Sequence, residues 1–189
     1  MDPTGHSAIL ALILLGLCTP LGALAMQAAA SAVCYVGMAV ASIWDESVRN
    51  DMNSIGWNPF NSNEKATLNS SKVSFYKGIP VFRTSLDRSG TFGGIFLRKD
   101  SEIDDLRHER GHATQFMMTG FIQYAFSVGI ASPLKLGNYD DYYSAPWETM
   151  ADILGGVESR QHSKNEIARA YKYTIFSMLF LPIVILYWI

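Results

Sequence analysis

From Ser7 to Trp44 the chain carries no Asp, Glu, Lys or Arg, and Ala, Leu and Gly dominate. The run breaks once, at Thr19-Pro20-Leu21-Gly22. About a dozen apolar residues precede the break, too few to span a bilayer, and roughly 22 follow it, enough to span. Three arrangements satisfy this pattern. The first is a membrane-inserted helical hairpin, or one spanning helix with a re-entrant partner, and it suits the pattern best. The second is a signal peptide with small residues at Ala23-Leu24-Ala25, although only Asp2 and His6 stand where a basic region belongs. The third is a small-residue hairpin buried in a soluble core.

The pattern then changes twice. Asp45 to Ser71 is polar and rich in Gly, Asn, Pro and Ser, which predicts a linker or loop. Lys72 to Thr84 is rich in Val, Phe, Tyr and Ile and is punctuated by Gly78 and Pro80, which predicts two short strands or one bent strand. After the polar turn Ser85–Gly90, the stretch Thr91–Lys99 predicts a further strand, and the whole predicts a small antiparallel sheet. Thr91–Arg98 is the candidate edge strand for pairing with an extended peptide, with Gly93-Gly94 permitting close backbone approach. A helix is expected from an N-cap at Asp100 or Ser101 to Thr119, with Glu102, Asp104 and Asp105 in its first turn and Gly120 as its stop. Phe121–Pro133 is apolar, and 135–146 predicts a loop. Trp147 to about Arg160 predicts a helix, and a last helix begins at Ala168 and is apolar from Tyr173 to the end. Arg160, Lys164, Arg169 and Lys172 precede that apolar segment. If it spans a bilayer, they place the polar domain on the cytoplasmic side.

Composition narrows the function classes. A formal net charge of -2 and 17% charged residues give no basic excess for nucleic acid. The 49% hydrophobic content is concentrated at the two ends. Cys18 and Cys34 both lie in the apolar N-terminal run and belong to no ligand spacing, which fits small packing residues; a disulfide between them stays open.

The chemistry-bearing segment is His108-Glu109-Arg110-Gly111-His112. Residues four apart on a helix share a face, so His108 and His112 can bind one metal ion. Glu109 is rotated by about 100° from His108 and is poised instead to act as general base on a water held by the metal. An exposed polar helix face is the plainer reading of the same five residues. A catalytic zinc needs a third protein ligand and an open fourth position. Downstream, Glu148 and Asp152 are four apart in "PWETMADILGGV". Glu148 can supply that ligand, and Asp152 can accept the free N–H of a ligating histidine. The plainer reading has Glu148 complementing a helix dipole and Asp152 solvated. Candidate oxyanion or substrate contacts are His162, Tyr142, Tyr143 and Gln115, with Arg160 as a further donor. A closed structural zinc site is disfavoured, since such sites usually use Cys and none lies nearby in sequence.

H-E-x-G-H followed by E-x-x-A-D-x-x-G resembles the gluzincins, particularly the HtpX-like and CAAX-prenyl-protease membrane peptidases. The resemblance implies an α+β, zincin-like fold. It makes His108, His112 and Glu148 zinc ligands, Asp152 the residue supporting a histidine, and Gly155 the small position where one helix approaches its neighbour. Apolar helices beside the catalytic unit also fit such peptidases. Arg110 departs from the pattern, which often has an apolar or aromatic residue there. Separately, Asp2–His6, "DPTGH", resembles the end of the core in RHS-repeat polymorphic toxins. The stretches "NPFN", "SFYKG", "HERGHATQ" and "YYSAPWETMADILGGV" are similar to zincin-type C-terminal modules of such proteins.

The expectation is therefore a possible RHS remnant at 1–6, an apolar hairpin or membrane segment at 7–44, a zincin-like domain at 45–170 and a C-terminal apolar helix at 171–189. The implied activity is that of a zinc (Zn2+) metalloendopeptidase, hydrolysing peptide bonds in a peptide or protein substrate. The implied setting is a membrane-associated bacterial effector, secreted or delivered to a target cell within a larger toxin, with a cognate immunity protein and no nucleic-acid partner. The alternative is a non-catalytic membrane-inserting or pore-forming module with a vestigial metal site.

Overall fold

Lys77 and Gly78 both take positive φ, 49° and 85°, and this left-handed pair folds the chain into a two-residue hairpin turn. The computed structural model, which describes residues 17, 19–130 and 142–188, pairs β1 (Val73–Tyr76) antiparallel with β2 (Ile79–Thr84) across that turn. The next strand pair corrects the expectation of one continuous antiparallel strand over Thr91–Arg98. The chain turns at Phe92–Gly94, with Gly93 at φ 65° and the Phe92 N–H donating to Gly94 O at 3.0 Å. This leaves β3 (Gly90–Thr91) and β4 (Ile95–Arg98) as separate strands. β4 runs parallel to β2, with Val81 opposite Ile95, and β3 pairs antiparallel with β4. The sheet is thus mixed, in the order β1-β2-β4-β3, and its edge near the chemistry is β3. Gly94 does provide a close approach, but to this chain's own β2: a Cβ there would lie 3.2 Å from Pro80 O and 3.0 Å from the Phe82 ring.

Seven α-helices accompany the sheet among the described residues, so the fold is α+β. They are α1 (Pro20–Ala41), α2 (Glu46–Ser54), α3 (Glu64–Leu68), α4 (Ile103–Thr119), α5 (Phe121–Tyr124, continued by a π-helical turn at Ala125–Ile130), α6 (Pro146–Gly155) and α7 (Lys164–Trp188). Two of them fall in the stretch expected to be linker. Asp45 caps α2 by accepting from Ser47 N and Val48 N, and Asn63 caps α3 by accepting from Ala66 N. The α4 start also shifts. Asp100 pairs with Arg98 and the Ser101 hydroxyl meets Ser89, so the helix begins at Ile103, with Glu102 just ahead of it accepting from Leu106 N. The Asp105 side chain reaches back to the Glu102 N–H. α6 ends earlier than expected, at Gly155, because Gly156 takes φ 78° and both its N–H and that of Val157 donate to Asp152 O. α7 begins earlier than expected, at Lys164. The Ser163 hydroxyl accepts from Glu166 N while Glu166 Oε2 accepts from Ser163 N, a reciprocal cap.

The chain gathers into two compact units interleaved along the sequence, and the division falls inside α4 and α6 themselves. One comprises 26–113 and 152–160. Its core joins Tyr76, Ile79, Val81, Ile95 and Leu97 of the sheet to Leu106 and Ala113 of α4, so apolar burial seats the helix on the sheet. A second cluster joins Met38 of α1 with Val48, Met52 and Ile55 around Phe75. The other unit comprises 1–25, 114–151 and 161–189. There Phe116, Tyr124, Val128, Ala145 and Trp147 form the core, with Met117, Phe121 and Tyr173 packed on it.

One helix among the described residues, Pro20–Ala41, is long and apolar enough to cross a membrane. Leu21, Leu24, Val33, Val36 and Val40 are exposed on it. Residues 1–16, Cys18, residues 131–141 and Ile189 lie outside the described residues, and with them the Asp2–His6 signature, the first arm of the expected hairpin and a disulfide to Cys34.

Candidate metal site

The α4 face that carries the chemistry is built from residues spaced for it. His108 and His112 sit one turn apart, both buried, with ring centroids 4.7 Å apart and planes at 85°. Glu148, fully buried in the first turn of α6, joins them: the potential ligand atoms of His108, His112 and Glu148 all lie within 4.8 Å of one another. A donor set of two imidazoles and one carboxylate at this spacing can hold a metal ion.

The support of His108 is explicit. Its Nδ1 lies 2.6 Å from Asp152 Oδ1, one turn beyond Glu148 on α6. With Nδ1 donating to the carboxylate, the ring is fixed in the tautomer that leaves Nε2 for a ligand role. Arg160 Nη1 donates to the same Oδ1 at 2.7 Å and lies 3.1 Å from His108 Nδ1, so two donors converge on one carboxylate oxygen. Arg160 therefore holds Asp152, where sequence alone suggested an oxyanion donor. Asp152→Asn, which offers a neutral partner to Nδ1–H and Arg160, is expected to weaken metal affinity about 10–100-fold with the fold retained. Competition titration against a zinc chelator measures it, and unchanged affinity would remove Asp152 from the site.

Three further contacts lock the helices. Arg107, the residue before His108, pairs in a fork with Glu64 of α3, Nε to Oε1 at 2.9 Å and Nη2 to Oε2 at 3.2 Å. Tyr76 OH donates to the same Glu64 Oε1 at 2.8 Å. The Arg107 guanidinium holds the Glu64 carboxyl below its usual range, while burial, followed by the Glu64 hydrogen bond, pushes the Tyr76 phenol up to about 12. Arg110, the departure within the motif, extends to Leu154 O near the end of α6. Gly155 packs against the α4 backbone at Arg107 and His108: a Cβ there would lie 2.6 Å from Arg107 C and 3.3 Å from His108 N.

The remaining candidates are distributed differently. Gln115 Nε2 donates to Trp147 O at 2.7 Å, so this amide, expected to contact substrate or water, ties α4 to the start of α6. Tyr142 and Tyr143 stack edge-to-face in the 3-10 turn before α6, with Tyr143 O accepting from Thr149 Oγ1. His162 is half-buried just ahead of α7 and is not among the gathered ligands. A contact the sequence did not indicate is Thr91 of β3. Its hydroxyl lies 2.8 Å from both Glu109 O and Glu109 Oε2.

No family model, characterised protein or solved structure matches the chain.

Proposed function

We propose that the chain is a zinc-dependent metalloendopeptidase with a zincin-like core. The observation that carries this reading is the buried convergence of His108, His112 and Glu148 within 4.8 Å. The donor chemistry fits zinc: imidazole and carboxylate suit a borderline divalent ion, and three protein ligands leave a fourth position for water or substrate. His108 Nδ1 is already turned to Asp152, the arrangement of a ligating imidazole.

A zinc ion bound there supplies Lewis-acid polarisation of the scissile carbonyl and lowers the pKa of a water toward about 7. Glu109 takes the proton of the attacking water as the new C–O bond forms and delivers it to the amine nitrogen as the C–N bond breaks. Asp152 fixes the His108 ring, Arg160 fixes Asp152, and Gln115 steadies the segment that presents Glu148.

On the sequence resemblance we place this activity in a bacterial toxin or effector module acting on a protein substrate near a membrane, countered by an immunity protein. The exposed apolar residues of α1 support membrane contact. The same helix favours the alternative, a membrane-inserting module without catalysis. Elemental analysis of purified protein separates the two. Wild type should hold about one zinc per chain, and His112→Ala and Glu148→Ala should lose it. A metal-free wild type, or zinc retained without Glu148, would put the membrane-inserting reading first.

A further inference from the structure

We infer that Thr91 is a positioning residue that orients the Glu109 carboxylate, an assignment that rests on the metallopeptidase reading. Among the described residues β3 is only Gly90–Thr91, at the end of the sheet and paired with β4. Its one hydroxyl meets two acceptors of a single residue, Glu109 O and Glu109 Oε2, each at 2.8 Å. The hydroxyl has one proton, which the two contacts share, and the contact to the helix carbonyl anchors the hydroxyl against α4. The bond to Oε2 does something that docking a strand on a helix does not require: it selects one rotamer of the carboxylate. Glu109 is 6% exposed, so its side chain is oriented by protein donors rather than by bulk water. A hydrogen bond to a charged acceptor in such a place is among the stronger ones. Threonine suits the task because its β-branch restricts χ1, which keeps the hydroxyl oxygen within reach of both acceptors.

The consequence is local. Removing the hydroxyl leaves the ligands His108, His112 and Glu148 in place but takes from the Glu109 carboxylate the contact that orients its Oε2. The probe is acetohydroxamic acid, which gives up its hydroxyl proton as it chelates a metal, and an oriented carboxylate beside the metal strengthens binding by accepting that proton. The full chain is loaded with cobalt, and hydroxamate binding is followed in the visible absorption of the ion. Thr91→Val should keep about one cobalt per chain and bind the hydroxamate roughly 10-fold more weakly, and Thr91→Ser should restore binding to near the wild-type value. Thr91→Ala removes the hydroxyl without adding an atom beside the carboxylate. It carries the same expectation should valine prevent folding. Full cobalt loading with unchanged hydroxamate affinity in both the valine and alanine variants would overturn the assignment and leave Thr91 a docking residue. A wild type that takes up no cobalt, or takes it up without responding to hydroxamate, would overturn the metal-site reading and the Thr91 assignment with it.

Discussion

On the proposed metallopeptidase reading, Glu109→Gln should abolish most turnover while leaving the bound metal in place. Glutamine keeps the size of the side chain and an acceptor oxygen for the Thr91 hydroxyl, so neither the β3–α4 contact nor the packing around this buried residue is lost. It also leaves His108, His112 and Glu148 untouched, so the metal content should match wild type. What it cannot do is take a proton from water. Loss of a general base costs about 10²–10⁴-fold in rate, and that loss should fall on kcat, because the group acts on the reacting water rather than on substrate binding. The measurement is mass-spectrometric detection of products from a diverse peptide library. Peptides cut by the wild-type protein should be almost uncut by the variant at equal zinc content. Equal cleavage by both would remove Glu109 from the role of base. A variant without zinc would show that the residue matters to assembly of the site rather than to the proton.

The parts of this site legible in the sequence are those that helix geometry encodes locally. His108 and His112 are one turn apart, and so are Glu148 and Asp152, so each pair shares a face as soon as its segment is helical. The meeting of the two pairs follows from no local period: zinc's need for a third protein ligand suggested it, and the resemblance implied it as well. Thr91 and Arg160 lacked any such mark: each meets its partner through a tertiary contact, Thr91 with Glu109 and Arg160 with Asp152, and neither pair lies within one helix or strand. The sheet was legible in its existence but not in its direction. Ile95 and Leu97 alternate as the buried positions of β4, and β2 begins with the buried run Ile79–Val81; such patterns are the same whether neighbouring strands run parallel or antiparallel. α2 and α3 were obscured by their polarity. Only Val48 and Met52 of α2 enter the core, while Asp51 spends its buried carboxylate on the backbone N–H groups of Ser71, Lys72 and Val73. A polar helix of this kind reads as loop unless its caps are noticed, here Asp45 and Asn63. The start of α7 had a legible mark in Ser163 and Glu166, three apart, which the change to an apolar pattern further on outweighed.

Gly155→Ala should be the most damaging single-methyl change near the site, because the position has no room for a Cβ. The carbon would collide with the carbonyl oxygen of Arg107 and lie 2.6 Å from its carbonyl carbon, with His108 N at 3.3 Å. These are backbone atoms of α4, so no side chain can rotate aside, and relief must come from separating α6 from α4. Alanine is the better helix former, and Gly155 is not among the glycines with positive φ, so propensity alone predicts a gain. The steric term should outweigh it: overpacking of this kind costs about 3 kcal/mol, against less than about 1 kcal/mol of propensity. For a chain of 189 residues the net loss of about 2 kcal/mol corresponds to a fall in Tm of roughly 4–8 °C. The functional effect should exceed what that destabilisation implies. The collision falls on Arg107 and His108, while Asp152, which holds His108 Nδ1 at 2.6 Å, belongs to the helix that must move. Zinc affinity should therefore drop in protein that remains folded well below its Tm. Thermal unfolding and chelator competition on the same sample give both quantities. An unchanged Tm with unchanged affinity would mean that α4 and α6 are not in the close backbone contact on which the placement of Asp152 depends.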